Sequence, residues 1–123
     1  MTAEYLEPVD VEEWLAENGL HVRDRSLLLS CLAGPLPVFG EEVYPDVHEK
    51  AAVLLIGINR NHPLLDGNKR LSWMVTAAFY ELNGYDLRVA EQREIDRFVR
   101  SVAAGGTDRA EVAAWLRAHT DAE

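Results

Sequence analysis

Apolar residues recur along the chain mainly at spacings of three and four, the period of helices buried on one face. Asp10 is placed to cap a short first helix carrying Trp14 and Leu15, which Asn18-Gly19 ends. A second helix is predicted from about Asp24 to Ala33, with Gly34-Pro35-Leu36-Pro37 as a firm stop. Val38–Pro45 has no helical period and reads as a loop or an extended flap. Asp46 then starts a third helix, with Val47, Ala51, Leu54, Leu55 and Ile58 on one face and His48 on the polar, solvated side. In the next segment Leu71, Met74, Val75, Ala78, Phe79 and Leu82 keep the helical period, and Trp73, Ala77 and Tyr80 fill most of the other side. A helix apolar nearly all round is one buried among others, so this is the expected central core helix, ending at Asn83-Gly84. Leu87 and Val89 suit a short strand. An amphipathic helix over about Glu91–Ala104 turns Ile95, Phe98, Val99 and Val102 inward, and Gly105-Gly106 breaks it. Thr107 is placed to cap a last helix with Val112, Trp115 and Leu116. The expectation is one all-α domain over residues 1–123, a compact helical bundle around a buried central helix.

Composition narrows the function classes. The 123 residues are 48% hydrophobic and 27% charged, the balance of an ordinary globule with one core. Twelve Lys+Arg against 21 Asp+Glu give a net charge of −9, which argues against direct binding of nucleic acid, since that needs a clustered basic face. The N-terminus carries acidic residues where a secretory signal has a basic start, and no apolar run is long enough to span a bilayer. No membrane and a cytoplasmic location are the expectation. Cys31 lies alone in the apolar run Leu27–Leu32 and reads as a small buried hydrophobe rather than a catalytic thiol. His21, His48 and His119 show no metal-ligand spacing with one another or with Cys31.

The concentrated chemistry lies between the third helix and the central one. Asn61-His62-Pro63-Leu64-Leu65-Asp66-Gly67-Asn68-Lys69-Arg70 compresses a histidine, a carboxylate, two asparagines and two cations into one loop that runs into a helix start. Open backbone N–H groups at such a start, here Gly67 to Arg70, favour an anion. Lys69 and Arg70 add positive charge, and arginine holds phosphate oxygens in a bidentate fork. Asp66 offers an oxygen to Mg²⁺, which typically binds through one or two carboxylates plus substrate phosphates. His62 is a base of the right strength for taking a proton from a hydroxyl near neutral pH. The parts add up to phosphoryl or nucleotidyl transfer. The plainer alternative makes Asp66-Gly67 a turn, Asn68 a cap and the cations solvated first-turn residues. It must treat their coincidence as chance, and it places cations where the helix dipole opposes them.

His62 to Arg70 resembles the signature of the Fic/Doc superfamily, His-x-Phe-x-Asp/Glu-x-Asn-x-Arg. The run from Tyr44 to Arg70, the central helix and the segment through Leu87 are similar to the death-on-curing (Doc) branch, as are the upstream stretches Arg23–Pro35 and Phe39–Pro45. The resemblance implies a Fic/Doc-type helical fold. It makes His62 the base that deprotonates a target hydroxyl and Asp66 the Mg²⁺ ligand. Gly67, Asn68, Lys69 and Arg70 become the loop that holds the phosphates of ATP. Lys69 stands where AMP-transferring members usually carry glycine, and Trp73 where they carry a second arginine. Both differences imply the Doc branch, in which the γ-phosphate faces the histidine and the protein acts as a kinase on a threonine of elongation factor Tu. Leu64 replaces the usual phenylalanine that anchors the loop in the core, and Leu71 replaces the threonine common after the Doc-type arginine.

The resemblance also implies a partner. Some Fic proteins silence themselves with a Ser/Thr-x-x-x-Glu-Gly/Asn motif, but after Thr107 and Glu111 comes Val112, so self-inhibition is rejected. Doc toxins are neutralised instead by a small antitoxin whose disordered C-terminal segment folds on binding. Transfer of AMP, and a catalytically silent Fic-like binding module, are the alternative functions. Arg60 and Asn61 are open between touching a ligand and ending a helix. The flap around residues 38–45 is open between docking an extended target segment and simple connection.

Overall fold

The computed structural model describes residues 3–123. The order is α1 (Pro8–Glu17), α2 (Arg25–Ala33), α3 (Val47–Asn61), α4 (Asn68–Leu82), β1 (Tyr85–Leu87), α5 (Gln92–Ala103), α6 (Arg109–Ala118) and β2 (Thr120–Ala122). The fold is mostly helical, as the periodicity predicts. α4 is the central helix: Leu71, Val75, Phe79 and Tyr80 are fully buried, and it packs on α3, α5 and β1. α3 meets α2, α5 and α6 as well, through Ala51, Leu54, Leu55 and Ile58 in one shared apolar core. Full burial of such side chains contributes about 1.5–3 kcal/mol each.

Several boundaries differ from the sequence reading by a few residues. α1 starts at Pro8 with Glu7 as N-cap, and Asp10 lies in the first turn rather than at the cap. Proline suits that position because its missing N–H is not needed there. α2 starts at Arg25, with Asp24 as its cap, accepting from Leu27 N–H at 3.2 Å. At α6 the cap is Asp108, whose Oδ1 accepts from Glu111 N–H at 2.8 Å. Thr107 Oγ1 is buried without a hydrogen-bond partner.

The strand also moves. β1 is Tyr85–Leu87, without Val89, and it pairs antiparallel with β2, placing Tyr85 opposite Ala122 and Leu87 opposite Thr120. The polar tail carries no strand pattern; its backbone forms the pair, with Arg88 N–H donating to His119 C=O and Glu123 N–H to Gly84 C=O. His48 is a second correction. It is buried rather than solvated, because β1 and α4 close over that face of α3, and its Nδ1 lies 2.8 Å from the Tyr80 hydroxyl. The flap ends in a tight turn in which Val38 and Glu41 exchange backbone hydrogen bonds, with Phe39 and Gly40 both at positive φ. Phe39 stands fully exposed at its tip. The flap base is tied to α3 by the ion pair of buried Lys50 with Glu42. Burial pulls the Lys50 ammonium down, but Glu42 and Tyr5 together outweigh this, raising it above its ordinary value. Among the described residues, no helix is long and apolar enough to cross a membrane.

Candidate active site

His62 is the C-cap of α3, in left-handed backbone with φ 52 and its N–H on Ile58 C=O. A non-glycine residue there costs about 1–2 kcal/mol, so surrounding contacts must hold it. Arg23 provides them: its Nε donates to His62 C=O at 2.9 Å and its NH2 group to Asn61 C=O at 3.0 Å. The backbone following α1 runs against the loop. Val22 bridges Leu64, Leu65 N–H donates to His21 C=O, and the N–H groups of Arg23 and Asp24 both reach Pro63 C=O. Leu64 is 1% exposed, so leucine fills the anchoring position in the core.

The other side of the loop is fixed by Asn68 and Gly67. Asn68 Oδ1 accepts from Leu64 N–H at 2.9 Å while its Nδ2 donates to Leu64 C=O at 3.1 Å. Both arms of its amide are therefore used in shaping the loop. Gly67 has φ 86, and an added Cβ would meet Leu20 Cδ2 at 2.8 Å, so this position requires glycine. Asp66 is exposed, and one of its oxygens accepts from Gly67 N–H at 2.9 Å.

The start of α4 is open. No side chain caps it, its first turn holds no acid, and the first backbone bond runs from Leu71 N–H to Gly67 C=O. The N–H groups of Asn68, Lys69 and Arg70 thus have no acceptor within the helix. Arg70 turns toward α1: its NH2 group donates to Asn18 Oδ1 at 2.9 Å and its guanidinium lies 5.5 Å from the Trp14 ring centre. His62, Asp66, Gly67, Asn68, Lys69 and Arg70 line one cleft of about 420 Å³, together with Asn59, Leu65 and Ala103. A second cavity of about 290 Å³ shares Lys69 and Arg70 and adds Trp73, Gln92, Ile95, Asp96 and Val99.

Chemically, the cleft joins a base, an anion-binding helix start and a carboxylate. Among the described residues no three His, Cys, Asp or Glu side chains cluster as a metal site. A cation fits here through Asp66 and the oxygens of a bound phosphate, the mode usual for Mg²⁺. Arg60 and Asn61 face a different cavity, with Tyr44 and Arg109, and Arg60 reaches Thr107 C=O at 3.4 Å. Cys31 is buried, and burial pushes its thiol up, which disfavours the reactive thiolate. Sequence reasoning missed Arg23, Leu20 and Asn59. Of these only Asn59 left a signal, a polar residue next to Ile58 on an apolar helix.

Comparison with known proteins agrees with this geometry. The Fic/DOC family model matches residues 4–80. Over 120 residues the chain is 39% identical to the protein named Toxin Doc of Mycolicibacterium smegmatis, covering 92% of this chain and 91% of that one. A family match over more than half the chain, and a relative matched nearly end to end, agree with the loop geometry: the chain belongs to the Fic/DOC family.

Proposed function

We propose that this protein is a Doc-type toxin of a bacterial toxin–antitoxin pair, acting as a Mg²⁺/ATP-dependent protein kinase on a threonine hydroxyl of elongation factor Tu. The observation that carries the reading is the cleft that His62, Asp66 and the uncapped start of α4 line together. The similarity to a protein named Toxin Doc supports the toxin role. In the proposed reaction His62 takes the proton of the target hydroxyl as its oxygen attacks the γ-phosphorus. The bond to the β–γ bridging oxygen breaks and ADP leaves. The N–H groups of Asn68, Lys69 and Arg70, with the Lys69 ammonium, hold the transferring phosphate. Asp66 would hold the Mg²⁺ ion, whose role when bound is to neutralise charge on the phosphate oxygens. Catalysis of this kind is positioning and charge stabilisation.

Trp73 supports phosphoryl over AMP transfer, since it puts an indole where AMP-transferring members usually carry a second arginine. The proposed setting is the cytoplasm, with a small antitoxin whose disordered C-terminal segment folds on contact. The test is incubation with elongation factor Tu and ATP labelled at either the γ- or the α-phosphate. Label transferred from the γ position is the expected result. Label from the α position would convert the reading to AMP transfer, and no label from either would leave a binding module.

A further inference from the structure

One residue that lines the cleft carries a polar atom that no other described residue answers. Asn59 is 1% exposed, lies in the last turn of α3 and lines the cleft with His62 and Asp66. Its Nδ2 donates to Leu55 C=O at 2.9 Å. That bond fixes the orientation of the amide, because only the nitrogen can donate to a carbonyl. Oδ1 is the remaining arm, and it is buried without a hydrogen-bond partner. Leaving a buried carbonyl oxygen unanswered costs about 1–3 kcal/mol. An apolar residue at this point of α3 would avoid that cost.

The surroundings decide what such an oxygen suits. The open N–H groups of Asn68, Lys69 and Arg70 and the Lys69 ammonium all donate, and so suit phosphate oxygens. Asn59 Oδ1 can only accept, so it suits the electropositive part of the same ligand. Asp66, the carboxylate lining this cleft, is the other such acceptor. Hard divalent cations take both carboxylate and amide carbonyl oxygens, and an Asp–Asn pair serves metal ions in other phosphoryl-transfer sites.

We propose that Asn59 Oδ1 is the second protein oxygen in the coordination shell of the divalent cation, reached directly or through a coordinated water, alongside Asp66. The inference rests on the reading of the cleft as a nucleotide–cation site. Its test is Mn²⁺ titrated against the full chain saturated with a non-hydrolysable ATP analogue, followed by water-proton relaxation. Asn59→Ala is expected to weaken Mn²⁺ by about tenfold, the effect of losing a supporting group at a metal site. Asn59→Asp, nearly isosteric, is expected to tighten it by adding charge. Asn59→Leu is expected to weaken Mn²⁺ while raising the melting temperature, since it removes the orphaned oxygen. Mn²⁺ affinity unchanged in the Ala and Asp variants but weakened by Asp66→Asn would overturn the inference and leave the functional reading standing. Absence of Mn²⁺ binding by the unaltered protein would overturn both. Should the Ala variant not fold, the Asp variant alone decides.

Discussion

In its C-terminal half α4 buries Val75, Thr76, Phe79 and Tyr80, and its polar groups there are answered: Thr76 Oγ1 donates to Ser72 C=O, and the Tyr80 hydroxyl meets His48 Nδ1. Beyond its end, the Asn83 amide holds Phe79 C=O and both backbone groups of Glu4. At the other end Lys69 and Arg70 are exposed and three N–H groups point away from any helix acceptor. The other helix starts carry negative charge. α2 and α6 have Asp24 and Asp108 accepting from their N–H groups, while α1, α3 and α5, also without a side-chain cap, carry Asp10, Glu49 and Glu94 in their first turns. One end of α4 uses its hydrogen bonds to hold the fold; the other leaves them open, and in the proposed reaction they hold the phosphate. Damage at the two ends should therefore separate into loss of activity and loss of stability.

The largest expected effect is at the open end. His62→Ala should reduce phosphate transfer by about 10²–10⁴-fold, the usual contribution of a general base, with the melting temperature held. Transfer that survived in this variant would move the base elsewhere. Gly67→Ala comes next. Its Cβ would press on Leu20 and its backbone would be strained, so transfer should fall by up to about 10²-fold through misplacement of the loop. Thermal denaturation should show a loss of about 1–2 kcal/mol beside it.

At the buried end the balance should reverse. Tyr80→Phe leaves His48 Nδ1 without its hydroxyl partner and should cost about 1–2 kcal/mol in denaturant melts, while nucleotide affinity is unchanged. A parallel fall in nucleotide affinity would erase the distinction between the two ends. The smallest effect is the pH dependence of stability. Burial holds the His48 imidazole below its ordinary value of 6.5, against the pull of Asp46, and pushes the Tyr80 phenol up. The unfolded chain therefore binds a proton that the fold resists. Stability from a neutral His48 is whole above about pH 6.5 and drains away as pH falls through the folded-state value. His48→Asn should flatten that part of a melting-temperature profile between pH 7.5 and pH 5.

The sequence made the open end far easier to read than the contacts that hold it. His62, Asp66 and the three residues at the helix start lie within nine consecutive positions, so their chemistry is visible without any fold. The left-handed turn at His62 is held by Arg23, 39 residues upstream, and at Gly67 the positive φ is joined by the close approach of Leu20, from a segment still further upstream. Periodicity does not report contacts of that range. The central helix was equally legible, because Leu71, Val75 and Phe79 repeat at helical spacing. His48 was misplaced for the opposite reason: it occupies a polar-looking position that only β1 and α4 enclose. β2 was missed because Thr120–Ala122 pairs through its backbone and carries no side-chain pattern.

The strap formed by residues 20–24 also bears on the order of folding. α3 and α4 are joined by a short loop and can find one another early, since nearby segments close at little entropic cost. The contacts of Val22 and Arg23 with the loop span about 40 positions and are expected at a later stage, when distant parts of the chain dock. A chain that has paired its two central helices, but has not yet laid this strap across them, already contains every residue of the motif. It does not yet hold His62 in place, so catalytic competence is expected to arrive with the last non-local contacts rather than with the helices that carry the residues.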